Sequence, residues 1–192
     1  MKKRSLFTVL LGIALLSFSF VKKPPTATVS KSLAFPVAGK KSNIGSFWGA
    51  VRDGGKRKHQ GIDIFARKGT PVVAICDGII ASKGSFPRGG KILWLKSSSH
   101  PWSAYYAHLD KWLVKEGQYV HKGQVIGTVG NTGNARYTPS HLHFGIYTNR
   151  GAVNPLPYVK KSPKILSPKM PAKKKKSATT RKSKSKKRSL RK

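Results

Sequence analysis

Ser140–Tyr147, SHLHFGIY, reads as a β-strand that carries two imidazoles, His141 and His143, two residues apart. A strand sends residues i and i+2 out on the same face, so both rings can enter one site. Two polar clusters elsewhere could complete it: His59 with Asp63 in KHQGIDIFA, and His108 in YYAHLD. These are four of the chain's six histidines and one of only five acidic residues.

Outward from this strand, Ala34 to about Val159 is a series of short apolar runs broken by Gly, Pro, Asn and Asp, with no sustained 3.6-residue periodicity. That pattern predicts an all-β domain. Strands are expected at Gly61–Phe65, Val72–Ile75, Gly78–Ser82, Ile92–Leu95, Ala104–His108, Val125–Val129 and His141–Tyr147. Turn signals separate them, among them Asp53-Gly54-Gly55, Arg88-Gly89-Gly90, Glu116-Gly117 and Asn131-Thr132-Gly133. Two segments, GTPVVAICDGII and GQYVHKGQVIG, each run from a Gly turn through apolar residues to another Gly, as a duplicated β-unit would.

The flanks differ from this domain. Met1–Arg4 is basic and Leu6–Val21 is uncharged and mostly apolar, the pattern of an export signal over residues 1–21. Sixteen residues fall short of the about 20 that a spanning helix needs, which favours a signal over a membrane anchor. Residues 22–33, with Pro24 and Pro25, read as a linker, and 34–159 as the one folded domain. Lys160–Lys192 holds 16 Lys and Arg with no acid and no aromatic, so it is expected to be a disordered cationic tail.

Over the whole chain 39 Lys and Arg face five Asp and Glu, a formal charge of +34, more than solubility explains. The surroundings should be polyanionic. Charge alone cannot choose nucleic acid over other polyanions, because phosphate neutralisation is blind to sequence; the export signal argues against nucleic acid. Cys76 cannot form an intramolecular disulfide and reads as a small buried hydrophobe.

Zinc accepts imidazole nitrogen and carboxylate oxygen, and catalytic sites keep three protein ligands with a fourth position for water. His59, Asp63 and His143 would supply that set. The ion lowers the pKa of its water from about 15.7 to roughly 7, which supplies a nucleophile. Amide hydrolysis also needs a proton carrier and donors for the developing oxyanion, and His108 and His141 remain for those tasks. Spacing does not divide the two roles between them. His100, in SSSHPW, and His121, beside Lys122-Gly123, read as surface residues. Trp48, Trp94, Trp102 and Trp112 read as core or groove wall, with Trp102 the one placed on a polar loop ahead of YYAHLD.

Phe35 to about Tyr158 resembles the lysostaphin-type, LytM-like zinc metallopeptidases that cut peptidoglycan. The resemblance rests on ordered motifs: FPVAG, FWGAVRDGGKRKHQGIDIFARKGTPVVA with its H-x-x-x-D, YYAHLD, VHKGQVIGTVGNTG and PSHLHFGIYTNRGAVNP. It implies a compact antiparallel β-sandwich or barrel-like domain of the duplicated hybrid motif type, with a narrow groove over the zinc. It makes His59, Asp63 and His143 the metal ligands and His108 and His141 the catalytic pair. Gly145 departs from the pattern, since many relatives carry Glu there. The function implied is an exported zinc endopeptidase of peptidoglycan stem peptides or cross-bridges, acting as a monomer in the periplasm, envelope or medium. The tail would then hold it on anionic envelope polymers or lipid. The alternative is a non-catalytic module of the same fold that binds wall or regulates another hydrolase; loss of a ligand would mark it, and none is lost.

Overall fold

Alternation along one strand, β11 (His141–Thr148), divides the molecule into a core side and a groove side. Leu142, Phe144 and Ile146 are fully buried, whereas His141, His143 and Tyr147 line a groove. The structure, a computed structural model, describes residues 32–171. The expected export signal, most of the expected linker and the last part of the expected tail lie outside the described residues.

The other strands are β1 (Asn43–Ser46), β2 (Val51–Arg52), β3 (Arg57–Lys58), β4 (Ile62–Phe65), β5 (Pro71–Val73), β6 (Gly78–Phe86), β7 (Gly90–Ser97), β8 (Trp102–Trp112), β9 (Tyr119–Val120), β10 (Val125–Val129) and β12 (Gly151–Val153). Every pairing between them is antiparallel, and the main sheet runs β1-β4-β11-β8-β7-β6-β9. Helix is confined, among the described residues, to Leu156–Val159 and two short 3-10 turns. All seven predicted strands are present, and the all-β class holds.

The echo between the two Gly-bounded segments has a structural counterpart. β5 pairs with β10 and the start of β6 pairs with β9, so the two segments lie antiparallel along their whole length. Between the strands Ala74 N–H donates to Gln124 C=O and Gly123 N–H to Ala74 C=O, each unit closing the turn of the other.

β8 is shared between two partners on one edge. Its first half, Trp102–Ala107, pairs with β11, and from Leu109 onward it pairs with β10. The switch falls at His108, whose backbone takes φ 60°, a left-handed value that bulged strands use to re-aim a side chain. Gly130 makes the close approach possible, since a Cβ there would lie 2.7 Å from His108 C=O and 2.4 Å from Asp110 N.

The expected domain end at Val159 falls short of where the chain leaves the fold. Residues 34–38 run beside β5, and on their outer edge Phe35 N–H donates to Pro163 C=O and Gly39 N–H to Ile165 C=O. Those two donors would otherwise lie on an unpaired edge. Ile165 also packs against the small apolar cluster of Ala34, Ala38, Val73 and Val125. Proline and lysine around it hid this single apolar anchor in the sequence.

The core under β11 centres on Phe144 and Tyr106, whose rings meet edge to face at 5.3 Å. The buried Tyr106 hydroxyl accepts a hydrogen bond from Ile75 N–H at 3.2 Å. Phe144→Ala should therefore cost about 3–5 kcal/mol, and Tyr106→Phe about 1–3 kcal/mol through the orphaned N–H. Urea unfolding of the two variants, with equal m-values, measures both.

Candidate active site

Pairing register brings the sequence's scattered polar residues together. His143 on β11 stands opposite Asp63 on β4, and opposite Ala107, the neighbour of His108, on β8. His59 lies four residues before Asp63 and is buried, its backbone N–H held by Ala50 C=O. Gly61 between them is required by packing, because a Cβ there would lie 2.7 Å from the His143 ring.

Three atoms converge. His59 Nε2 lies 2.9 Å from His143 Nδ1 and 3.1 Å from Asp63 Oδ1, and His143 Nδ1 lies 3.0 Å from Asp63 Oδ1. Among the described residues this is the group of His, Cys, Asp or Glu side chains able to hold a metal. Zinc–nitrogen bonds of about 2.0–2.1 Å place tetrahedral donors about 3.3 Å apart, so the triangle fits such an ion within a few tenths of an ångström.

Protonation suits the same role. Burial raises the Asp63 pKa, yet its close contacts with the His143 and His59 imidazoles more than reverse this and hold the carboxyl well below its usual range. Burial pushes His143 down, against the pull of Asp63. His59 Nδ1 donates to Phe47 C=O at 2.9 Å, and a carbonyl can only accept, so Nε2 keeps its lone pair for the triangle. An ionised carboxylate and unprotonated nitrogens are the forms a metal takes.

His108 and His141 stand beside the triangle and outside it, their ring centroids 4.9 Å apart and His108 6.0 Å from His143. Each is oriented by a backbone carbonyl: His108 Nδ1 donates to Thr132 C=O at 2.8 Å and His141 Nδ1 to Pro139 C=O at 2.9 Å. Thr132 is itself clamped, its hydroxyl donating to Leu109 C=O and accepting from Lys91 N–H. Burial, reinforced by the neighbouring His141, pushes the His108 pKa down to about 4, so its ring is neutral at pH 7.

The surrounding groove has a volume of about 1240 Å³. Trp94, Tyr105 and Tyr147 form one wall, Trp94 packing on both tyrosines at 4.6 and 4.8 Å. Burial pushes the Tyr105 hydroxyl up to about 12, so it remains a neutral hydrogen-bonding group. Gly145 stands opposite Tyr105 in the β11–β8 register. A Cβ there would lie 2.9 Å from the Tyr147 ring, which occupies the space a larger residue would need.

Other expectations resolve differently. Trp102 is not on a loop: it opens β8, is buried in the core, and carries His100 stacked on its ring at 4.9 Å. Trp94 and Trp48 are the tryptophans of the groove. His121 is exposed beside Asp77, and Cys76 is buried in the core. The sequence reading missed Arg52, whose Nη2 donates to Asp63 Oδ2 at 2.8 Å, because one arginine among 39 cations carries no signal.

Residues 57–155 match the family model for peptidase family M23. The chain belongs to peptidase family M23. It is 38% identical over 127 residues to L-Ala--D-Glu endopeptidase of Bacillus subtilis, a match covering 60% of this chain and 39% of that protein. It is 37% identical over 135 residues to the murein hydrolase activator NlpD of Escherichia coli, covering 70% of this chain and 33% of that one. The chain thus spans well under half the length of these curated relatives. The catalytic domain of the antimicrobial peptidase lysostaphin from Staphylococcus simulans superposes with a TM-score of 0.57 at 36% identity, covering 62% of this chain and 92% of that domain. An antiparallel β fold is common to this M23 chain and its solved relative.

Long-range 1H–15N spectra of the metal-free protein at pH 7 test the orientation of the two imidazoles. His108 should show a protonated Nδ1 and an unprotonated Nε2, and the neutral form of His141 the same tautomer. An Nε2–H tautomer at either position would show that the carbonyl contacts do not set it.

Proposed function

We propose that this M23 chain is an exported zinc endopeptidase that hydrolyses peptide bonds in the stem peptides or cross-bridges of peptidoglycan. The observation that carries the reading is the co-location, in one groove, of a complete three-donor cluster and two imidazoles locked by backbone carbonyls. His59 through Nε2, Asp63 through Oδ1 and His143 through Nδ1 would hold the zinc. A zinc ion there would supply a Lewis acid for the scissile carbonyl and a water acidified toward neutrality.

The chain's own groups supply the rest. His108 and His141 line the groove with Nδ1 engaged, which leaves Nε2 for chemistry there: an unprotonated nitrogen accepts a proton and a protonated one donates to an oxyanion or a leaving amine. The aromatic wall of Trp94, Tyr105 and Tyr147 excludes water from one side and gives a peptide an apolar surface to lie on. The likeness to both an endopeptidase and a hydrolase activator leaves donor integrity as the discriminating feature, and all five side chains are present.

Purified walls digested with the protein should release muropeptides detectable by mass spectrometry, and a chelator should stop the release while leaving the far-ultraviolet circular dichroism unchanged. His143→Ala should lose metal and activity together. His108→Ala and His141→Ala should keep zinc and lose turnover by roughly 100-fold or more. Full zinc occupancy with no muropeptide release by the unaltered protein would favour the activator reading instead.

We further infer that the basic C-terminal segment tethers the enzyme to an anionic envelope surface. Many weak contacts on one chain add through effective concentration although each is screened over about 8 Å at physiological salt. Residues 172–192 hold 12 of the tail's 16 cations and lie beyond the pinned stretch that ends at Ile165. Their deletion should weaken pelleting with whole walls and flatten its salt dependence, while hydrolysis of a small soluble muropeptide stays within about twofold. Equal pelleting by both proteins across a salt series would reject the tether.

A further inference from the structure

We propose that Arg52 is a positioning residue for the metal centre: its guanidinium, braced by Ser46, engages Oδ2 of Asp63 and so presents Oδ1 as a single carboxylate donor. The inference rests on the metal-site reading above, and concerns how the carboxylate of that site is held.

The two oxygens of Asp63 have separate partners. Oδ1 faces the imidazoles, 3.0 Å from His143 Nδ1 and 3.1 Å from His59 Nε2, while Oδ2 accepts from Arg52 Nη2 at 2.8 Å. A free carboxylate can close on a cation through one oxygen or through both. A charge-assisted bond on Oδ2 disfavours the second mode and fixes the rotation of the group.

The brace is built into the strands. The same Nη2 donates to Ser46 Oγ at 2.5 Å, and Ser46 stands opposite Asp63 in the β1–β4 register. Arg52 itself sits on the β2–β3 hairpin, opposite Arg57, whose guanidinium pairs with Asp53 at the turn and, among the described residues, forms no ion pair with the triangle. Nη2 also lies 3.1 Å from His59 Nδ1, but that nitrogen donates to Phe47 C=O, so the guanidinium packs against the ring without a bond to it. The arginine therefore touches both ligands of the H-x-x-x-D motif from behind.

The ion pair is only partly exposed, with side-chain accessibilities of 28% for Arg52 and 12% for Asp63. Desolvation offsets much of the attraction in such a pair, so orientation is the gain to look for, not stability. A contrary reading gives the opposite sign: a guanidinium that merely substitutes for the metal would compete with it, and removing it would tighten metal binding.

The experiment is zinc titration of the full chain in competition with a chromophoric chelator, for the unaltered protein, Arg52→Gln and Arg57→Gln, with visible absorption of the cobalt(II)-loaded forms. Arg52→Gln should weaken zinc binding about 10- to 100-fold, and weaken the cobalt bands as Asp63 closes on the ion through both oxygens and raises its coordination number. Arg57→Gln should change neither. Unchanged or tighter zinc binding in Arg52→Gln overturns the proposal, as does an equal loss in Arg57→Gln, which would trace the effect to the hairpin. Weaker zinc binding with an unaltered cobalt spectrum would reject the single-donor claim. Failure of the unaltered protein to bind zinc would instead remove the metal-site reading itself.

Discussion

β11 is held between β4 and β8, and its register decides everything the groove contains. His143 meets Asp63 across one ladder and Ala107 across the other. A slip of one residue in either would turn His141 and His143 into the core and Phe144 out to the groove. What prevents the slip is the apolar face: Leu142, Phe144 and Ile146 are fully buried beside Tyr106, Ile62 and Ile64. Chemistry on one side of the strand is thus registered by packing on the other.

Polar groups gathered this tightly carry a desolvation cost, and the fold offsets it with backbone carbonyls. Phe47, Thr132 and Pro139 each accept from the Nδ1 of a different histidine. Carbonyls suit this work because they cannot donate, so each fixes a tautomer as well as a ring orientation. They come from segments outside the central strands, which is why β8 must change partners at His108. The fork opens the space into which the 130–140 segment delivers the carbonyls of Thr132 and Pro139.

Much of this was legible in the sequence, since period-two alternation and histidine spacing are local signals. The strand carrying His141 and His143, and the five residues that meet in the groove, could be named from motifs alone. Strand lengths could not: β6 and β8 run well past the predicted Gly78–Ser82 and Ala104–His108, because bulges break their alternation midway. β2, β3 and β9 are two residues each and exist only through pairing. Trp102 looked like a loop residue because polar residues precede it, although it opens β8 and belongs to the core. Pro163 and Ile165 were hidden by the lysines around them, and Arg52 by the abundance of its own kind.

That abundance raises the question of how a chain with a net charge of +34 keeps one carboxylate available for a cation. The answer lies in distance. Exposed charges beyond about 8 Å are screened at physiological salt, so a cation farther than that from Asp63 adds little to its field. In direct contact with Asp63 are two imidazoles on one oxygen and one guanidinium on the other. The other aspartates are engaged elsewhere: Asp53 by Arg57, Asp110 by Lys68, and Asp77 by the backbone of Lys122. Local contacts therefore govern the Asp63 carboxylate.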